Sequence, residues 1–131
     1  MPTVLIIDDD ADIRAALGFC LHSEGYQTQL CMNGRDAIDR LDFGLRPDAI
    51  VLDLMMPGMN GLEELQALRA DARWSAIPVV VASVNRGYSA EDLGVLAVLR
   101  KPFELKDLVV ALEAAVGPGR RGLAAVPTGV F

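Results

Sequence analysis

Residues 4–10 read Val4-Leu-Ile-Ile-Asp-Asp-Asp10, an apolar run that breaks off into acids. Three further runs share its apolar character: Ala49-Ile-Val-Leu52, Val79-Val-Val-Ala82 and Val95-Leu-Ala-Val-Leu99. They are rich in β-branched residues and lack polar alternation, the pattern of strands buried on both faces of a parallel sheet. Gln27-Thr-Gln-Leu-Cys-Met32 alternates polar and apolar residues and reads as an edge strand.

Helical spacing fills the gaps. Between Asp12 and Glu24, the apolar residues Ile13, Ala16, Leu17, Cys20 and Leu21 share one helix face, and Gly25 stops the helix. Asn33 suits the N-cap of a second helix, with Asp36 three residues on and Ala37, Ile38 and Leu41 turned inward. Asn60 suits the cap of a third, which carries Leu62, Leu65 and Leu68. The last helix begins after Pro102 and buries Leu105, Leu108, Val109, Leu112 and Val116. Only ten residues separate Val84 from Val95. Ser89 and Asp92 can cap a turn or two there, so the fourth helix is expected to be short or absent. The alternation predicts an α/β fold: a doubly wound, five-stranded parallel sheet with right-handed crossovers and helices on both faces. Such sheets bind ligands at the carboxyl ends of their strands.

A length of 131 residues fits one domain. Residues 1–116 form that domain, and 117–131, with four glycines, two prolines and no acid, read as a flexible tail. The net charge of −6 argues against a nucleic-acid binder and against an anionic membrane surface. No apolar run approaches the ~20 residues of a membrane span, and no signal-peptide pattern opens the chain. Cys20 and Cys31 lack metal or redox spacing and read as reduced core residues, as in a cytoplasmic protein.

Four of the eighteen acids fall at positions 8, 9, 10 and 12. Asp8 and Asp9 follow the first strand and Asp53 the third. Ser83 ends the fourth strand, and Lys101, one of only two lysines, lies just past the fifth. In a parallel sheet all five project toward one end. Three converging carboxylates repel one another. A hard cation with oxygen ligands, Mg²⁺, resolves the repulsion. An ammonium and a hydroxyl complete a site for a phosphoryl group, which a carboxylate nucleophile can carry as an aspartyl-phosphate. Asp10 and Asp12 read as helix-start residues rather than ligands.

Four blocks now coincide: Val4-Leu-Ile-Ile-Asp-Asp-Asp10, Val51-Leu-Asp-Leu-Met-Met-Pro-Gly-Met-Asn-Gly61, Pro78-Val-Val-Val-Ala-Ser83 and Lys101-Pro-Phe103. In identity, order and approximate spacing they resemble the response-regulator receiver domain of two-component signalling, over about residues 3–116. The resemblance implies the flavodoxin-like strand order 2-1-3-4-5. It implies that Asp53 accepts a phosphoryl group from the phosphohistidine of a histidine kinase or phosphotransfer protein. Asp8, Asp9, Asp53 and the backbone carbonyl of Met55 would bind Mg²⁺. Ser83 would bond a phosphoryl oxygen, Lys101 would pair with the acyl phosphate, and the Lys101–Pro102 peptide would be cis. Such a domain is a signalling switch with autocatalytic phosphotransfer and dephosphorylation rather than an enzyme.

The family commonly places Tyr or Phe three residues before the lysine; here that residue is Val98. The output face is therefore expected to be atypical, with the signal leaving through residues 85–94, Asn85 and Arg86 among them. No DNA-binding helix-turn-helix follows residue 116, so action by contact with a downstream protein is expected, as a monomer or homodimer, unless the chain is cut from a longer one. The rival reading is a phosphorylation-independent interaction module of the same fold. An aspartate-based phosphohydrolase fits poorly, because position 55 is methionine where that class places a second acid. Three other features read as incidental. Gly117-Pro-Gly-Arg-Arg-Gly122 matches a dinucleotide motif but follows a helix. His22 suits a helix C-terminus. Trp74 suits a packed cover over the core.

Overall fold

The computed structural model describes residues 1–55, 61–84, 87–117 and 129–131. In chain order the elements are β1 (Thr3–Ile7), α1 (Ala11–Ser23), β2 (Gln27–Cys31), α2 (Gly34–Asp42), β3 (Ala49–Asp53), α3 (Gly61–Ala70), β4 (Val79–Ser83), α4 (Ala90–Leu93), β5 (Ala97–Arg100) and α5 (Leu105–Val116). The strands form one parallel sheet in the order β2-β1-β3-β4-β5, as the resemblance implied.

Side chains alternate across the sheet and feed two cores. Val4 and Ile6 join Leu17 and Leu21 of α1 and Leu105, Leu108 and Leu112 of α5 on one face. Leu5 and Ile7 join Ala37 and Leu41 of α2 and Leu65 and Leu68 of α3 on the other. Each such aliphatic side chain contributes about 1.5–3 kcal/mol when fully buried, so the two-sided central strands carry most of the driving force. Trp74 closes the second core as a buried cover, with the Arg73 guanidinium 4.4 Å from its ring centroid.

The expected caps form. Asp10 accepts the N–H groups of Asp12 and Ile13, Asn33 accepts that of Asp36, and Ser89 accepts that of Asp92. Gly25, at φ 98°, turns the chain out of α1. Cys20 and Cys31 are unpaired thiols; burial pushes Cys31 up to about 12, which keeps it protonated. α4 is a single turn with no buried residue. Asn60, the expected cap of α3, lies outside the described residues.

One expectation is corrected. The run Val95–Leu99 is not a strand buried on both faces. The strand is Ala97–Arg100, and none of its four residues is buried. It pairs only with β4, and the single turn of α4 leaves one of its faces thinly covered.

Candidate functional site

β1, β3, β4 and β5 are neighbours and parallel, so their carboxyl ends arrive side by side. Asp8 follows β1 directly and is 3% exposed; Asp53 is the last residue of β3 and is 5% exposed. Asp9 is exposed beside them. One carboxylate oxygen from each of the three lies within 4.8 Å of the others. The Lys101 Nζ reaches over from the end of β5, 3.5 Å from Asp8 and 3.4 Å from Asp53. Ser83 ends β4, fully buried, and its carbonyl accepts the Lys101 N–H at 2.9 Å. The Lys101–Pro102 peptide is cis, as expected. The five candidate side chains thus share one end of the sheet.

Local bonding explains each placement. Asp8 Oδ1 accepts the Asp10 N–H at 2.9 Å, which shapes the turn from β1 into α1. Asp10 itself caps α1, as the sequence indicated, and is not one of the clustered acids. Asp53 Oδ1 accepts the Met55 N–H at 3.0 Å, tying the acid to the start of the next loop. Past that loop the Gly61 N–H returns to the Leu54 carbonyl at 3.1 Å. A Cβ on Gly61 would overlap the Leu54 Cα and sit 2.7 Å from the Asp53 carbonyl oxygen, so only glycine lets α3 start this close to β3.

The electrostatics favour a cation. Burial raises the Asp53 carboxyl above its ordinary range. The Met55 N–H and the Lys101 ammonium oppose this, and the Asp8 charge adds to it. Three carboxylates face one ammonium, and two of the three are almost wholly removed from water. Uncompensated buried negative charge is costly, and an oxygen-only donor set is the chemistry a hard divalent ion requires. The residues therefore fit Mg²⁺.

Two residues of this region were not singled out in the sequence. Arg14 Nη1 donates to the Asp8 carbonyl at 2.7 Å and so holds the end of β1 from α1. The signal was there: a base in the first turn of a helix opposes the helix dipole and needs a reason. Glu64 is completely buried, and neither carboxylate oxygen has a hydrogen-bond partner among the described residues. Burial pushes it up to about 7. It lies on the same stripe as Gly61, Leu65 and Leu68, a spacing that marks the inner face. His22 sits in the last turn of α1, away from the cluster. Residues 118–122 of the glycine-rich motif, and Asn85 and Arg86, lie outside the described residues.

A family model for the response regulator receiver domain matches residues 4–113. The response regulator MprA of Mycolicibacterium vanbaalenii is 38% identical over 113 residues, 85% of this chain and 48% of that protein. The DNA-binding response regulator MtrA of Mycolicibacterium paratuberculosis is 36% identical over 115 residues, 85% of this chain and 49% of that protein. The chain thus spans about half the length of these relatives. Among solved structures, the chemotaxis protein CheY4 of Vibrio cholerae superposes with a TM-score of 0.79 at 27% identity. That match covers 88% of this chain and 99% of that one. Among the described residues, no helix is long and apolar enough to cross a membrane.

Proposed function

The chain belongs to the response regulator receiver family of two-component signalling, and from that premise we propose that Asp53 is its phosphoacceptor. The observation that carries the proposal is the cluster itself: three carboxylates within 4.8 Å at the strand ends, two of them, Asp8 and Asp53, bridged by Lys101. A histidine kinase or phosphotransfer protein supplies the phosphoryl group. An Asp53 carboxylate oxygen attacks the phosphorus, the phosphorus–nitrogen bond to the donor histidine breaks, and an acyl phosphate forms on Asp53. Asp8, Asp9, Asp53 and the Met55 carbonyl would hold Mg²⁺, which when bound would offset the charge of the phosphoryl oxygens. Lys101 turns from the bare carboxylates to a phosphoryl oxygen, placing fixed positive charge where the transferred group is most negative. Ser83, at the adjacent strand end, donates its hydroxyl to another phosphoryl oxygen.

The output is read by a protein partner in the cytoplasm, through an atypical face. Val98, like Tyr88, Leu93 and Val95, packs half-buried against the second core, so the position three residues before Lys101 carries no aromatic ring to turn inward. The signal leaves through the segment between β4 and β5. Hydrogen exchange with and without a bound acyl-phosphate mimic is expected to change across residues 83–100; an unchanged profile on confirmed modification rejects this route.

Incubation with Mg²⁺ and acetyl phosphate, followed by intact-mass measurement, tests the acceptor. One added phosphoryl group is expected, and none on Asp53→Asn. No gain from acetyl phosphate or from kinases would leave the phosphorylation-independent interaction module as the better reading.

A further inference from the structure

Residues 129–131 fold back beside the segment that follows Lys101. Gly129–Phe131 lie antiparallel to Phe103–Leu105. The Phe103 N–H donates to the Phe131 carbonyl at 2.6 Å, and the Phe131 N–H donates back to the Phe103 carbonyl at 2.7 Å. The Leu105 N–H donates to the Gly129 carbonyl at 2.7 Å. The rings of Phe103 and Phe131 lie 6.0 Å apart, and Phe131 packs on the core shared by α1 and α5. A Cβ on Gly129 would come within 3.3 Å of the Phe131 ring and 3.7 Å of the Leu105 Cβ, so a larger residue there would crowd the ring out of its seat.

The receiving edge has an unmet need of its own. α1, α2 and α4 each begin on a side chain that accepts a first-turn N–H. α5 begins on Glu104, which makes no side-chain cap bond. Its first N–H, that of Leu105, is one of the helix-start donors with no partner inside the helix. The Gly129 carbonyl supplies that partner. The contact can close within one chain: residues 118–128 reach up to about 36 Å, whereas α5 is about 18 Å long. Phe103 stands two residues beyond Lys101, whose ammonium bridges Asp8 and Asp53.

We propose that Phe103–Leu105 is a docking edge whose occupant is the chain's own Gly129–Phe131, and that this strap caps α5 and preorganises the Lys101 turn for phosphoryl transfer. The coupling to transfer rests on the phosphoacceptor reading; the docking does not. A strap that favours the competent position of Lys101 must in turn be favoured by it, since linkage is reciprocal.

Amide exchange in the full chain tests the docking. In the wild type, the Phe103, Leu105 and Phe131 amides are expected to be protected, independently of protein concentration. Phe131→Ala and Gly129→Val are expected to speed exchange at Phe103 and Leu105 by about tenfold or more. Exchange at Leu52 and Val81 in the sheet should stay slow, which controls for folding. Unprotected Phe103 and Leu105 amides in the wild type overturn the docking, and protection that grows with concentration makes a second copy the occupant. Uptake from acetyl phosphate tests the coupling: both variants are expected to be slowed at least about threefold. Faster exchange with unchanged uptake overturns the coupling. A wild type that takes up no phosphoryl group overturns the acceptor reading, while the exchange experiment still decides the docking.

Discussion

β3 is the central strand of the sheet, paired with β1 on one side and β4 on the other, and all five of its residues are buried. β5 is an edge strand paired with β4 alone, and none of its four residues is buried. Both strands deliver a residue to the same pocket, Asp53 from one and Lys101 from the other. The helix after β3 and the helix before β5 differ in the same sense. α3 seats Leu65 and Leu68 in a core, whereas α4, which leads into β5, buries no residue fully and rests on that core through the half-covered Leu93. The acceptor carboxylate is therefore set in the most constrained part of the fold. Its counter-charge follows an edge strand none of whose residues is fully buried. That division suits a switch, because an element can respond to a new ligand only if its alternative positions differ by little free energy.

The largest effect after loss of Asp53 itself should come from Gly61. Gly61→Ala drives a methyl group into the Leu54 backbone at the end of β3, where neither partner is a flexible side chain. A loss of about 3 kcal/mol is expected by urea unfolding, with phosphoryl uptake also slowed. Gly94→Ala gives the counterpart in the β5 half. Gly94 has a φ of 66° and no atom within 4 Å of an added Cβ, so only backbone strain acts, about 1 kcal/mol. Equal losses for the two variants would break the distinction between the halves.

Glu64 sharpens it next. The acceptor half tolerates a wholly buried carboxyl with no hydrogen-bond partner among the described residues, pushed up to about 7 from 4.5. Below pH 4.5 folded and unfolded chains both hold that proton. Between pH 4.5 and about 7 the unfolded chain releases it while the folded chain retains it, so stability falls as pH rises. Above about 7 the loss is complete, at about 3 kcal/mol. Glu64→Gln cannot ionise. Urea unfolding should find the variant close to wild type at pH 5 and about 2 kcal/mol more stable at pH 8. A wild-type profile that stays parallel to that of the variant across this window would show that Glu64 finds a partner in solution.

The acceptor half was also the more legible from sequence. A buried parallel strand announces itself by an unbroken apolar run, and an acid that ends such a run has few structural excuses. Asp8 and Asp53 were located by that rule, Ser83 and Lys101 by their places after the other apolar runs, and the caps at Asp10, Asn33 and Ser89 by local spacing. What escaped depends on partners distant in the chain. Val95–Leu99 is as apolar as β4, yet whether it is an edge depends on sheet order, which its own residues do not encode. Arg14 acquires its meaning only when the end of β1 lies beside it. Glu64 hid because its charge interrupts the apolar stripe that it shares. Phe131 meets Phe103 across 28 positions of sequence, beyond the range of any periodicity.

The smallest predicted effects separate the halves most cleanly, because they use one chemistry in two places. Asn33 Oδ1 accepts the Asp36 N–H at 2.8 Å, and Ser89 Oγ accepts the Asp92 N–H at 3.1 Å. Removal of either cap costs its helix about 1 kcal/mol. α2 is anchored in the core by Ala37 and Leu41, so its cap is lost only when the whole domain unfolds. Asn33→Ala should therefore lower global stability by the full amount. α4 buries no residue fully and is expected to open on its own. Ser89→Ala should therefore leave the urea midpoint nearly unchanged and speed amide exchange about fivefold between residues 90 and 94 only. If Ser89→Ala shifts the midpoint as far as Asn33→Ala does, α4 unfolds with the core, and the loosely held half of the pocket is as rigid as the other.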